Sequence, residues 1–330
     1  MPVKVGIPRS LLFYEYYSLW ISFFEELGAE VIISPRTNKE IVDKGVKSTV
    51  DEACLPVKVF HGHVIDLKDK VDYIFVPRII SVRKNEYICP KFCGLPEMVK
   101  YSIRDLPKFI DTSIDFRKSK KNLNKTVTEI GSYITSDAKK IKRAFEYAME
   151  KYSQYKVHLK MGLLPIDTLK ENNLRDTNHL NNGAKVLLLG HPYNIYDSYL
   201  SMDIVDKLRR NNLTVLTCDS LRGEVINKKA DTLDKQMFWS FGRKIIGTAL
   251  HTMEDNQVCG IIYLSSFGCG LDSVIGDIVE RKIRRSSNKP FTMLTLDEHT
   301  GEAGVDTRIE AFVDMIRWRE EDENNLSAYR

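Results

Sequence analysis

The 330-residue sequence has no apolar run approaching the ~18 residues of a membrane span. Its first residues, Met1-Pro2-Val3-Lys4-Val5, lack the charged and apolar regions of a signal peptide. A cytoplasmic protein with no membrane partner is expected. The sequence also lacks an excess of one charge: 49 Lys and Arg stand against 45 Asp and Glu, and the bases are scattered among acids. No nucleic-acid partner is expected from that pattern, and the longest basic stretch, Arg117 to Lys125, reads as a solvated face or loop. Cysteine is scarce: six in a chain this long are too few for a disulfide scaffold, and a reducing compartment would keep them as thiols or metal ligands. A Gly-x-x-x-x-Gly-Lys-Ser/Thr phosphate loop is missing, so the chain does not read as an ATPase.

What is there suits a globular chain of about two domains, with 43% hydrophobic and 28% charged residues. Val3 to Pro8 predicts a buried strand ending in Gly-Ile-Pro, Tyr14 to Leu27 a helix closed by Gly28, Glu30 to Pro35 a β-branched strand, and Val71 to Pro77 a third strand. The second half echoes this grammar. Lys185 to Gly190 predicts a strand ending in Gly-His-Pro, Ser198 to Arg210 a helix, Thr214 to Cys218 a strand, and Val258 to Leu264 another. One offset carries Val5-Gly6-Ile7-Pro8 onto Leu189-Gly190-His191-Pro192 and Val31-Ile32-Ile33-Ser34 onto Val215-Leu216-Thr217-Cys218. Leu271 to Arg285 (helix), Pro290 to Leu296 (strand) and Val305 to Trp318 (helix) complete it, and Asp137 to Tyr155 predicts an amphipathic helix between the halves. The expected class is α/β: two Rossmann-like parallel-sheet halves related by a pseudo-repeat, with a helical connecting segment. The boundaries read as 1–110 for the first α/β domain, 111–183 for the connecting segment with its polar linker Asn172 to Gly183, and 184–330 for the second.

In an open α/β sheet, ligands bind beyond the carboxyl ends of the strands. Cys269 lies there, between the strand Gly260 to Leu264 and a helix, with Gly268 and Gly270 letting backbone approach a bulky group. Cys89 and Cys93 lie in Cys89-Pro90-Lys91-Phe92-Cys93-Gly94-Leu95-Pro96, a Pro- and Gly-dense segment before another predicted helix; Cys54 enters the helix that runs toward Leu67. Cys259 sits inside a strand pattern and reads as core, and Cys218 ends a strand near the same crevice edge. Three or four thiolates without short paired spacings suit an iron–sulfur cluster drawn from separate loops better than structural zinc. From composition alone, the alternative is a set of unrelated buried thiols.

With those residues in view, the sequence resembles the acyl-CoA dehydratase activase-related family, relatives of the cluster-binding subunits of 2-hydroxyacyl-CoA dehydratases and of double-cubane cluster proteins. The likeness covers nearly the whole chain. It is carried by Gly6-Ile7-Pro8-Arg9, Cys54-Leu55-Pro56-Val57-Lys58 with His61-Gly62-His63, Phe75-Val76-Pro77-Arg78, Cys89-Pro90-Lys91, Ser265-Ser266-Phe267-Gly268-Cys269-Gly270, and Asp297-Glu298-His299-Thr300-Gly301-Glu302-Ala303-Gly304 with Thr307-Arg308. The resemblance implies a cluster held by Cys54, Cys89 and Cys269, one cysteine from each of three loops; three protein ligands leave one iron open, and six cysteines with Cys259 inside a strand favour a single four-iron cubane over a double cubane. It implies reduction at low potential by a separate ATP-dependent iron–sulfur activator and action on a CoA thioester or other small substrate; a homo- or heterodimer is a further expectation. This chain is shorter than the dehydratase subunits, and Cys93 is an extra thiol without a required counterpart in the family.

Three further residues are candidates for catalysis. His191, in the turn paired with Gly6-Ile7-Pro8, is placed to donate a proton or hydrogen bond; Arg9, in the other turn, to hold an anionic group; Glu298, at the end of the last strand, to move protons. His61 and His63 flank Gly62, so at most one of them would face the cluster. Glu302 reads as the cap of the last helix. Two other functions fit the same sequence: a non-catalytic partner delivering electrons or a cluster, and a zinc-binding or plain two-domain ligand-binding protein.

Overall fold

The structure, a computed structural model, describes residues 1–116, 122–169 and 183–328, with side chains as far as Arg319. Part of the basic stretch Arg117 to Lys125 and most of the linker Asn172 to Gly183 lie outside those residues. The first half runs β1 (Lys4–Ile7), α1 (Phe13–Glu26), β2 (Glu30–Ile33), α2 (Lys39–Lys47), α3 (Leu55–Leu67), β3 (Tyr73–Phe75), β4 (Arg78–Ser81), α4 (Pro90–Ser102), β5 (Lys108–Ile110) and β6 (Ser113–Asp115). Next come α5 (Asn122–Ser132), α6 (Ala138–Lys160) and a single turn, α7 (Pro165–Thr168). The second half is β7 (Lys185–Gly190), α8 (Pro192–Ile195), α9 (Ile204–Arg210), β8 (Thr214–Leu216), α10 (Gly223–Ala230), α11 (Ser240–Met253), β9 (Val258–Ser266), α12 (Gly270–Ser286), β10 (Phe291–Leu296) and α13 (Glu302–Ala328).

Two four-stranded sheets result, ordered β2-β1-β3-β5 and β8-β7-β9-β10, with every pairing parallel. Each therefore follows the order second, first, third, fourth, so the repeat seen in the turn and strand residues extends to topology. Valines, isoleucines and leucines fill the central strands because parallel strands are covered on both faces: Val5, Ile74, Leu187, Leu189, Ile262 and Leu264 are fully or almost fully buried. In each sheet the chain leaves the first and third strands in opposite directions, which opens a crevice at their carboxyl ends.

One predicted helix is overturned. Ser198 to Arg210 does not run unbroken, because Met202 and Asp203 take left-handed backbone (φ 52° and 54°), and only Ile204–Arg210 is helical. The strand expected to reach Cys218 stops at Leu216, and Cys218 opens a short 3₁₀ turn capped by Thr217. The other predicted elements differ from those observed mainly in where they end, and no described helix is long and apolar enough to cross a membrane.

Helix α3 is held against α2 at backbone distance. A Cβ on Gly62 would stand 1.9 Å from the Ile41 carbonyl oxygen, and one on Gly45 would stand 1.9 Å from that of Lys58. Glycine is thus what His61-Gly62-His63 contributes to packing. Since α3 begins at Cys54, this crossing also sets where that cysteine stands.

Side chains tie the halves together. Thr37 donates to the buried carboxylate of Asp197 and lies 3.0 Å from His63 Nε2, while Ser34 Oγ meets His63 Nδ1 at 2.8 Å. Burial, with a further push from Arg9, lowers the His63 pKa to about 3. Burial raises that of Asp197 to about 6, although Thr37 and the amides of Leu200 and Tyr199 donate to it.

Two outcomes follow. Gly62→Ala should destabilise the protein by ~1–3 kcal/mol, because two helix backbones must separate to admit the methyl group; urea unfolding at neutral pH measures it. For Asp197 the folded state binds the proton more tightly than the unfolded chain, whose carboxyl titrates near 3.8. Its contribution to stability therefore falls as pH rises from about 4 to about 6 and is flat above. Asp197→Asn should remove that decline, so that between those limits the variant gains roughly 2–3 kcal/mol relative to the parent; paired urea titrations at several pH values test it.

Candidate functional site

Three of the six cysteines occupy the same structural position. Cys54 is the N-cap of α3, Cys89 of α4 and Cys269 of α12, each followed directly by helix, with Cys54 and Cys269 extended in backbone. Pro56 and Pro90 stand in the first turns of α3 and α4, where a missing amide hydrogen costs nothing. A helix N-terminus carries positive potential and unsatisfied N–H groups, so three of them meeting form a site for a negatively charged group.

They meet because Gly268, at φ +75°, turns the loop after β9 onto the first half. A Cβ on Gly268 would lie 3.4 Å from Cys54 Cα. Cys269 consequently packs on the small buried cluster of Ala53, Cys54 and Val57. Burial lifts the Cys89 thiol above its ordinary pKa, with Cys54 adding to the effect. Cys269 rises much further through burial, then Asp272, then Cys54 and Cys89. Tyr193 is raised by burial and by all three sulfurs together with Asp272. Burial thus disfavours the thiolates of Cys89 and Cys269, and a bound metal reverses that balance.

His191 is 1% exposed and caps the single turn α8. Its ring stacks on Tyr193 at 5.0 Å and meets Phe241 edge-on at 5.6 Å. Nε2 lies 3.2 Å from Asp272 Oδ1, yet neither ring nitrogen makes a well-aligned hydrogen bond. His191, Cys269 and Asp272 hold their potential ligand atoms within 4.8 Å of one another, which is metal-site geometry. Asp272 is the residue the sequence reading missed. Burial opposes its charge, but His191, the Tyr263 hydroxyl at 2.9 Å and the Ser266 amide hold its pKa below the usual carboxylate range. Its amide also donates to Cys269 Sγ at 3.4 Å. The acid three residues after an N-cap was the available signal.

The other candidates occupy different surroundings. Glu298 accepts from Lys58 Nζ at 2.5 Å, an ion pair between the loop after β10 and the first turns of α3. Lys58 also caps its own amide on the Cys54 carbonyl, so this pair clamps the second half to the helix that Cys54 starts. Arg9 joins a separate group, over the Phe13 ring and lining a cavity of about 80 Å³ with Tyr14, Arg36, Thr37 and Asp197; its Nε is buried without a partner. Cys93 lies one turn into α4 and its carbonyl accepts from Arg78. Cys259 donates to the Lys185 carbonyl on the neighbouring strand. Cys218 lies beside Thr248 and Lys244, with its pKa pushed up to about 11 by burial. His61 faces inward but bonds the Val57 carbonyl of its own helix.

Lys58→Met should cost about 1–2 kcal/mol, less than a fully buried pair would, because Glu298 keeps partial access to solvent. Glu298→Gln in the Lys58→Met background should add little; urea unfolding of the double-mutant cycle checks the coupling.

Residues 4–221 match the family model described as CoA enzyme activase uncharacterised domain. The match contains Cys54, Cys89 and His191 and ends before Cys269. No curated protein matches the chain.

Proposed function

The chain belongs to the CoA enzyme activase uncharacterised domain family, matched over more than half its length, and from that premise we propose that it is an iron–sulfur redox protein of the 2-hydroxyacyl-CoA dehydratase type. In this reading it accepts an electron from a separate ATP-dependent activator and acts on a CoA thioester or another small substrate. The observation that carries it is the convergence of three thiols, each at the N-cap of its own helix and drawn from both halves.

The donor set fits such a group. Cys89 and Cys269, whose burial raises their pKa values, are poor surface nucleophiles but good ligands once a cation neutralises them, and Cys54 stands beside them. Cys54, Cys89 and Cys269 would hold a single four-iron cubane, which supplies low-potential one-electron chemistry and an iron with a free coordination position. Cys259 and Cys218 already sit in their own packing, which favours one cubane over two.

The surrounding residues have separate tasks. The amide of Asp272 donates to Cys269 sulfur and the three helix ends oppose the site's negative charge. Tyr193 and Phe241 close the site to water on the His191 side. The contact of His191 Nε2 with Asp272 Oδ1, at 3.2 Å, is placed to hand a proton to a departing hydroxyl group. The Lys58–Glu298 pair keeps the two cysteine-bearing halves in register.

Anaerobic reconstitution with iron and sulfide should give a brown protein holding about four irons per chain. Cys54→Ala, Cys89→Ala and Cys269→Ala should each lose most of that iron, while Cys93→Ala and Cys259→Ala should keep it. A colourless, iron-free protein would overturn the reading, and iron retained in the first three variants would overturn the ligand assignment.

A further inference from the structure

A second cavity, of about 820 Å³, opens between α1, α5, α6, α10 and the segment after β4, and none of the cysteine triad or His191 lines it. That volume is within the range of small-molecule sites. Its walls are largely apolar and aromatic, Tyr16, Leu19, Trp20, Phe116, Phe145 and Tyr152 among them.

Its polar lining is charged and unbalanced. At the floor Lys156 pairs with Glu15 at 2.7 Å, and Lys244 pairs with Asp219 at 2.6 Å and Glu15 at 3.3 Å. Tyr196 donates to the second carboxylate oxygen of Asp219 at 2.8 Å. Burial works against charge on Asp219, yet Lys244 and Lys156 outweigh it and pull its pKa to about 2. These four groups neutralise one another. Arg83, Lys84 and Lys160 also line the cavity, exposed at its rim, and no carboxylate among the described residues pairs with any of them.

We propose that this cavity binds an anion with an apolar body, an acyl or aryl carboxylate, with the body on the aromatic walls and the head toward Lys84, Lys160 and Arg83. Apolar walls reward burial of a chain or ring, and three unneutralised cations at the mouth select the sign of the head group. A cationic amphiphile gains the same burial and meets repulsion at the rim. The inference rests on the cavity alone and stands whether or not the cysteines hold a cluster.

Isothermal titration of the full chain with decanoate, decanol and decyltrimethylammonium tests it. Decanoate should bind saturably, one per chain, and at least tenfold more tightly than decyltrimethylammonium. Gly223 lines the cavity and a Cβ there meets nothing within 4 Å, so Gly223→Phe projects into open space. It should weaken decanoate at least tenfold without lowering the unfolding temperature. Leu123→Trp, which fills the cavity from α5, gives the same readout should Gly223→Phe fail to fold. Exchanging Lys84 and Lys160 for glutamate should weaken decanoate several-fold and leave decanol unchanged. The proposal is overturned by absence of saturable decanoate binding, by equal affinity for the cationic amphiphile, or by undiminished binding in the cavity-filling variants.

Discussion

The close approach of the Gly268 backbone to Cys54 is the contact on which the crevice depends. It forms because residue 268 takes a left-handed conformation, φ +75°, that glycine adopts without strain. Two sheets of the same strand order each present a carboxyl-end crevice, and this contact joins the crevice of the second sheet to the start of α3 in the first half. Everything else at the site is arranged around it. Gly62 and Gly45 fix the height of α3, Lys58 and Glu298 fasten that helix to the loop after β10, and Cys269 arrives on Cys54 as the last member of the group.

The electrostatics of the cysteine crevice and of the aromatic cavity run in opposite senses. Around Cys89 and Cys269, burial and the neighbouring sulfurs favour neutral thiols, and backbone hydrogen bonds and Lys91 oppose them. Such a site is completed by a cation or metal group. Beneath the aromatic cavity the charges are already paired, two lysines with two carboxylates, and the surplus lies at the rim. There the ligand's own charge is what remains to be supplied.

Much of this was legible in the sequence because local chemistry and fold agree. Gly-Ile-Pro and Gly-His-Pro turns marked equivalent strand ends, and a cysteine directly before a helix, with proline or glycine beside it, marked the three N-caps. The histidines of His61-Gly62-His63 drew attention, yet the glycine between them sets the helix crossing, and His63 spends both ring nitrogens on Ser34 and Thr37. Arg9 follows β1, and the small cavity it lines draws residues from both halves, Tyr14, Arg36 and Thr37 from the first and Tyr196, Asp197 and Asp203 from the second. Contacts such as Lys58 with Glu298 and Thr37 with Asp197 join residues far apart in the chain, and no local pattern announces them. The break at Met202 and Asp203 was invisible for a related reason, since neither residue is a helix breaker by type.

Anomalous scattering at the iron absorption edge, from crystals of protein reconstituted and grown without oxygen, tests the central claim most directly. The account predicts one compact iron peak between the N-termini of α3, α4 and α12, within bonding distance of the sulfurs of Cys54, Cys89 and Cys269. Iron bound elsewhere, or those three sulfurs in place with no metal between them, would contradict it.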